Sequence, residues 1–188
     1  MTTYKPTPID EMIQLDKERY LISSTNTKGI ITSVNPYFKS ISGYKANELV
    51  GSPHNIVRHP DMPRVIFKMM WDRIKSGKNM AAVVKNLAKD GRYYWVVTDF
   101  QVQTDENGNI SGFTAFRRAA DNDTIKTITS IYEKLLDAEQ VGGMDASEHE
   151  LNMILKQKGM SYSDFLEGVM KKSGLSGAFK GVFKKFFG

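Results

Sequence analysis

The segment "GSPHNIVRHPDMP", residues 51–63, holds two of the chain's three histidines together with an arginine, an aspartate and three prolines. Pro53, Pro60 and Pro63 each remove a backbone donor and fix φ, so this is a stiffened connector and neither a helix interior nor a regular strand. His54, Arg58, His59 and Asp61 are its chemistry-bearing groups. A guanidinium pairs with phosphate-like anions through its planar fork, while imidazole and carboxylate groups hydrogen-bond to hydroxyls and ring edges. A loop already ordered by proline loses little entropy when it grips a ligand. The same residues also fit a structural reading, with Asp61 as N-cap of the next helix and Pro63 in its first turn. From the residues alone the two readings weigh about equally, and both can hold at once.

Other chemistries are poorly served. The chain has no cysteine, which removes disulfides, zinc-thiolate sites, thiol nucleophiles and any flavin–cysteine photocycle. It also fits a reducing compartment. No nucleophile and base form a coherent arrangement, so no catalytic residue is assigned and an enzyme is not expected. A metal site would want histidines and carboxylates three or four apart on a helix. His54 and His59 are five apart on a proline-broken loop, and His149 lies in another segment. The N-terminus lacks a basic start followed by an apolar run, so no secretory signal is expected. No run approaches about 18 apolar residues, so no membrane-spanning helix is expected either. A net charge of +5 is modest, and the basic residues are spread along the chain except at its C-terminus. That argues against nucleic acid as a partner.

These residues need elements to position them. The 188 residues, 40% hydrophobic and 25% charged, allow one domain with appended elements. Residues 1–18 read as a polar arm or short helix. Residues 19–36 read as a hairpin turning at Asn26-Thr27-Lys28-Gly29. "PYFKSISGY" begins with proline after Asn35 and ends at Gly43, the pattern of a short capped helix, and "KANELVG" adds another helical turn. In 62–77, Val65, Ile66, Met69, Met70 and Ile74 recur at helical spacing, and Gly77 closes the run. Three strands follow, at 80–89, 92–103 and 110–118, separated by Asp90-Gly91 and Asn107-Gly108, which are hairpin turn signals. Two strands, short helices, then three strands make an α+β domain with one five-stranded antiparallel sheet and helices across one face. After residue 120 the composition changes. Residues 121–140 read as an amphipathic helix capped by Asp121 or Asp123, "VGGMDASEHE" as a break, and two short helices follow before residue 174.

The run "NPYFKSISGYKANELVG" carries the Asn-x-x-Phe, Ser-Gly-Tyr and Glu-Leu-x-Gly pattern found in many PAS domains, and this chain resembles that family over roughly residues 19–120. The "PHNIVRHPDMP" run, then Phe67, Met70 and Trp71, then "VKN" and "YWV", sharpens the likeness to the FAD-binding PAS domains of aerotaxis receptors. The resemblance implies a PAS fold and noncovalently bound FAD whose redox state is the signal. It implies Arg58 on the pyrophosphate, and His59 and Asp61 on ribose or adenine edges. Trp71 would border the isoalloxazine, and Asn86 would hydrogen-bond the ring edge. His54 is the weaker of the two loop histidines, contacting the adenine end or serving local backbone groups. FAD is expected over FMN because the loop offers more polar anchors than one phosphate needs. Two alternatives stand beside it: a haem-binding gas sensor using His54 or His59 as axial ligand, and a cofactor-free interaction module.

After residue 120 the chain departs from those receptors, showing no anchor, HAMP or signalling segment. It is similar there to the stand-alone CetB-like PAS partners of bipartite energy-taxis systems. The implied partner is a membrane chemotaxis receptor or HAMP-containing protein, reached from the cytoplasm. Residues 175–188 place Phe179, Val182, Phe183, Phe186 and Phe187 on one helical face and Lys180, Lys184 and Lys185 on the other. This is an interfacial pattern that suits docking at the inner membrane or on a receptor, and packing back onto the domain is the alternative. Homodimerisation is left open.

Overall fold

The computed structural model describes residues 5–172. The proposed tail at 175–188 lies outside the described residues. The chain divides into two compact units. One comprises residues up to Met62 with Ile66–Ala119, and the other comprises Pro63–Val65 with the residues after Ala119.

The first unit is built on a five-stranded antiparallel sheet. Strands β1 (Leu21–Asn26) and β2 (Ile31–Val34) form the first hairpin; β3 (Met80–Leu87), β4 (Tyr93–Thr104) and β5 (Ile110–Ala119) form a meander. The order across the sheet is β2-β1-β5-β4-β3. Because β2 and β3 are opposite edges, the chain between them must cross one face. That crossover holds α1 (Pro36–Ser42), α2 (Ala46–Leu49), a 3-10 turn at His54–Val57 and α3 (Arg64–Lys75), so topology forces the 51–63 connector to lie over the sheet.

Local chemistry fixes these elements where the residue types point. The Asn35 side chain accepts from Phe38 N at 2.9 Å and Ile22 N at 3.1 Å, and donates to Tyr20 O at 2.8 Å. One carboxamide thus caps α1 and ties it to β1. Gly43 ends α1 at φ 72°, a left-handed position where a side chain is disfavoured. On α3, Val65, Ile66, Met70 and Ile74 are buried, the expected apolar stripe.

One expectation needs adjustment. Residues in the N-terminal arm run extended and are not helical: Met12 bridges Tyr93 in parallel, and Ile13 N donates to Tyr93 O at 2.7 Å. β4 pairs with β5 only from Val96 onward, so its first residues have a free edge that the arm fills. In the second unit, the "VGGMDASEHE" stretch interrupts the helix as its glycines lead one to expect. The run α4, Asn122–Lys158, is two helices joined across a kink, with non-helical dihedrals at Gly142 and Gly143. The second helix resumes after the glycines with Ser147 buried. Asp121 caps α4 through Thr124 N at 2.9 Å, and α5 (Tyr162–Lys172) follows.

Candidate functional site

Between the crossover and the sheet lies a cavity of about 410 Å³, within the size range of small-molecule and cofactor sites. Its sheet wall is read from alternate residues. Ser23 and Thr25 come from β1, Val84 and Asn86 from β3, Phe100 from β4, and Phe113, Ala115 and Arg117 from β5. Period-two alternation puts each set on one face. The other wall is α3, through Phe67, Met70, Trp71 and Ile74, together with Pro53, His54, Asn55 and Arg58 from the connector.

The wall is mostly apolar, with polar groups at two depths. Lys28, Pro53 and Asn55 are exposed and Arg58 is half-buried, which makes a basic mouth. Arg58 Nη2 donates to Met62 O at 2.8 Å, and the guanidinium lies 4.5 Å from the Phe67 ring centre, so the loop holds it in place. Deeper, Ser23, Thr25, Asn86 and Arg117 are buried. Arg117 Nη1 donates to Ser23 Oγ at 2.9 Å and Nη2 lies 2.9 Å from His54 Nε2. Ser23 Oγ is itself 3.0 Å from that nitrogen. Burial brings the Arg117 guanidinium down to about 10, and burial with the Arg117 charge brings His54 down to about 3. His54 is therefore neutral, with Nε2 as the acceptor. A haem iron bound at Nε2 would have to displace the contacts from both Arg117 and Ser23.

Asn86 Nδ2 is buried and makes no well-formed hydrogen bond among the described residues; its near partner is the buried hydroxyl of Tyr94, its register neighbour on β4. An unmade buried bond costs roughly 1–3 kcal/mol, so the donor suits a ligand acceptor inside the cavity. Trp71 stands edge-on to Phe113, ring centres 5.7 Å apart, and its indole covers Gly29: a Cβ there would come within 2.8 Å of the ring. The residues present therefore fit a planar, partly polar aromatic group inside and an anionic extension at the mouth.

Of the residues singled out from the sequence, Arg58, Trp71, Asn86 and His54 line this cavity. His59 and Asp61 do not. The His59 ring is 3% exposed and stands edge-on to Tyr93 at 6.0 Å, while its Nδ1 accepts from Asp61 N at 3.1 Å. The Asp61 carboxylate is on the surface and pairs with Lys85 Nζ at 2.8 Å, so it neither caps α3 nor reaches the cavity. The physical reason is alternation: Arg58 bridges Asn86 antiparallel, so the next residue points the other way. Arg117 was missed in the sequence. Its signal was the inward alternation Phe113, Ala115, Arg117, ending in a charge where an apolar residue would be usual. Among the described residues no group of three His, Asp or Glu side chains could hold a metal, and no helix is long and apolar enough to cross a membrane.

Residues 31–117 match the family described as PAS fold. The chain is 40% identical over 115 residues, 61% of its length, to the aerotaxis receptor of Escherichia coli K12, and covers 22% of that receptor. It is 24% identical over 111 residues, 58% of its length, to the biofilm dispersion protein BdlA of Pseudomonas aeruginosa, covering 26% of it. The chain thus spans about a quarter or less of these curated relatives. A light-oxygen-voltage domain, solved in work on a flavin analogue, superposes at TM-score 0.51 with 20% identity, over 61% of this chain and 86% of that one. This last likeness concerns the fold alone. Residues 31–117 are a PAS domain, with the α+β architecture of that family.

Proposed function

We propose that this PAS domain is a redox sensor that binds FAD noncovalently, turns over no substrate, and reports to a chemotaxis receptor partner. The observation that carries the reading is the inner wall: among the described residues, a buried arginine whose charge no carboxylate offsets and a buried amide donor with no well-formed hydrogen bond line one cavity. Both groups are costly unless a ligand meets them. Likeness to an aerotaxis receptor, 40% identical over 115 residues, supports flavin as that ligand.

Flavin supplies reversible electron uptake when bound. Asn86 would donate from Nδ2 to a carbonyl or nitrogen of the ring edge, and Arg117 would oppose negative charge at the inner end. Trp71 and Phe113 would exclude water from the ring. Arg58, with Lys28 nearby, would hold phosphate at the mouth. FAD is favoured over FMN because the mouth offers two cations and the exposed Asn55. A redox change would alter which hydrogen bonds these side chains make and bias the sheet that carries them.

The protein is assigned to the cytoplasm, with the basic phenylalanine-rich tail at 175–188 docking on a membrane surface or on the receptor itself. Deleting that tail is expected to spare flavin binding and abolish sedimentation with anionic vesicles or receptor membranes. The test of the central reading is the visible spectrum of gently purified protein, followed by chromatography of the cofactor released on denaturation. Flavin bands and FAD are the expected result. A Soret band, no chromophore after reconstitution, or FMN alone would overturn it.

A further inference from the structure

His59 is a buried histidine that the cavity does not use, and its surroundings form one connected cluster. Arg58 and Asn86 are an antiparallel bridged pair on the cavity wall. One step along each segment are His59 and Lys85. Lys85 Nζ bonds Asp61 Oδ2 at 2.8 Å and sits 4.4 Å from the Tyr93 ring centre. His59 meets the same ring edge-on, and Lys85 N donates to Met62 Sδ at 3.2 Å. Tyr93 then belongs to the N-terminal arm as much as to β4. Its Oη donates to Asp10 Oδ1 at 3.3 Å, its N to Glu11 O at 3.0 Å, and Ile13 N donates to its carbonyl at 2.7 Å. Beside it, Ile9 N donates to Gly91 O at 2.9 Å. Gly91 has φ 94°, and a Cβ there would fall 2.4 Å from Thr7 O, so the backbone turn is shaped to receive the arm.

We propose that His59, Asp61, Lys85, Tyr93 and Asp10 form a clasp that couples the cavity wall to the N-terminal arm. The ligand-facing side of the bridge is Arg58 and Asn86; the opposite side is the clasp. A shift of that bridge by a ligand must move His59 and Lys85, because each is covalently next to a wall residue. Those two side chains enclose Tyr93, and Tyr93 carries the arm's hydrogen bonds. Surface ion pairs are weak alone, but Lys85 is only 15% exposed, and it joins an ion pair, a cation–π contact and a backbone bond in one place.

The ligand-driven half of this inference rests on the proposed cofactor reading; the mechanical half does not. The experiment is amide hydrogen exchange at Ile9 and Ile13 in the full chain, with folding checked by near-ultraviolet circular dichroism. Lys85→Met keeps the stem and removes the charge. It is expected to raise exchange at both amides at least tenfold in the ligand-free protein. Tyr93→Phe, which removes only the Oη bond to Asp10, is the second variant, with about a threefold rise. Loading with FAD is expected to slow both amides in the wild type and to leave them unchanged in Lys85→Met. Unaltered exchange in both variants, or a loading effect that survives in Lys85→Met, overturns the clasp. Arg58→Ala in the ligand-free chain separates the two readings: raised exchange at Ile9 and Ile13 supports the clasp even where FAD titration shows no binding, and unchanged exchange overturns it even where FAD binds.

Discussion

Arg117 Nη2 stands 2.9 Å from His54 Nε2 across the inner end of the cavity, a cation facing a neutral ring with no carboxylate as counterion among the groups that set its charge. Desolvating a guanidinium costs several kcal/mol after relaxation, and neutral partners recover only part of it. The ligand-free domain therefore carries a destabilising charge where an anionic or electron-accepting group would be stabilised. Binding and folding pull in opposite directions at this residue, and that opposition can be measured.

Arg117→Met should leave the ligand-free protein as stable or more stable, since Ser23 Oγ and His54 Nε2, 3.0 Å apart, satisfy one another. Flavin affinity should fall about ten- to a hundredfold, the equivalent of roughly 1.5–3 kcal/mol for a charged hydrogen bond. Thermal melts and flavin titration give both numbers. A marked loss of ligand-free stability with unchanged affinity would make Arg117 a structural residue.

The histidines predict a pH dependence. His54 falls to about 3 in the fold and His59 to about 4, burial being the first cause for both. Between those values and the ordinary value of 6.5, the unfolded chain binds protons that the native chain does not. Stability from these rings is thus complete above about pH 6.5 and is lost as pH falls through the window, at about 1.4 kcal/mol per pH unit for each ring. Denaturant titrations between about pH 7.5 and 5 should show it, above the range where carboxylates protonate. His54→Phe should remove about half the slope; an unchanged slope would place its proton uptake elsewhere.

How far the sequence carried can be judged at particular residues. Asn35, Gly43, Gly91 and Asp121 cap or turn where their chemistry says, because caps and turns are local. The direction of a loop side chain is not local. From the sequence His59 ranks ahead of His54 as a ligand contact, yet His54 lines the cavity and His59 packs on Tyr93, its direction set by the Arg58–Asn86 bridge. Arg117 went unread for the same reason. Its face follows from which neighbours β5 acquires, and β1 lies nearly a hundred residues away in the chain. The break at Gly142–Gly143 was legible for the same local reason as the caps: two adjacent glycines leave helical dihedrals, and the helix-competent residues after them start a second helix.

Gly29 should tolerate no side chain. Its φ is 76°, and a Cβ would meet the Trp71 ring at 2.8 and 2.9 Å. Gly29→Ala adds a left-handed strain of about 1 kcal/mol and a steric displacement of the indole. Tryptophan emission should shift, and flavin retention should weaken. Trp71→Phe in the same chain should restore the steric part and leave the backbone part. No improvement in the double variant would show that the ring contact is not what limits this position.

Asn86→Asp should change the redox response of the loaded protein more than its affinity. The amide nitrogen makes no well-formed hydrogen bond in the ligand-free fold, so replacing it forfeits at most its contact with the Tyr94 hydroxyl. The new oxygen is an acceptor where the ring edge was to receive a donor, and when ionised it carries charge. A unit charge a few ångströms from the ring interacts by roughly 2–4 kcal/mol at an effective dielectric near 20. Adding an electron beside it becomes harder, so the midpoint potential should fall by on the order of 60 mV or more, each tenfold change in a one-electron equilibrium being about 59 mV. The shift should shrink as pH is lowered and the carboxylate takes a proton, because burial raises the pKa of an acid at this site. Spectroelectrochemical titration at two pH values measures both effects. A potential equal to that of the wild type at both would mean that Asn86 does not face the ring.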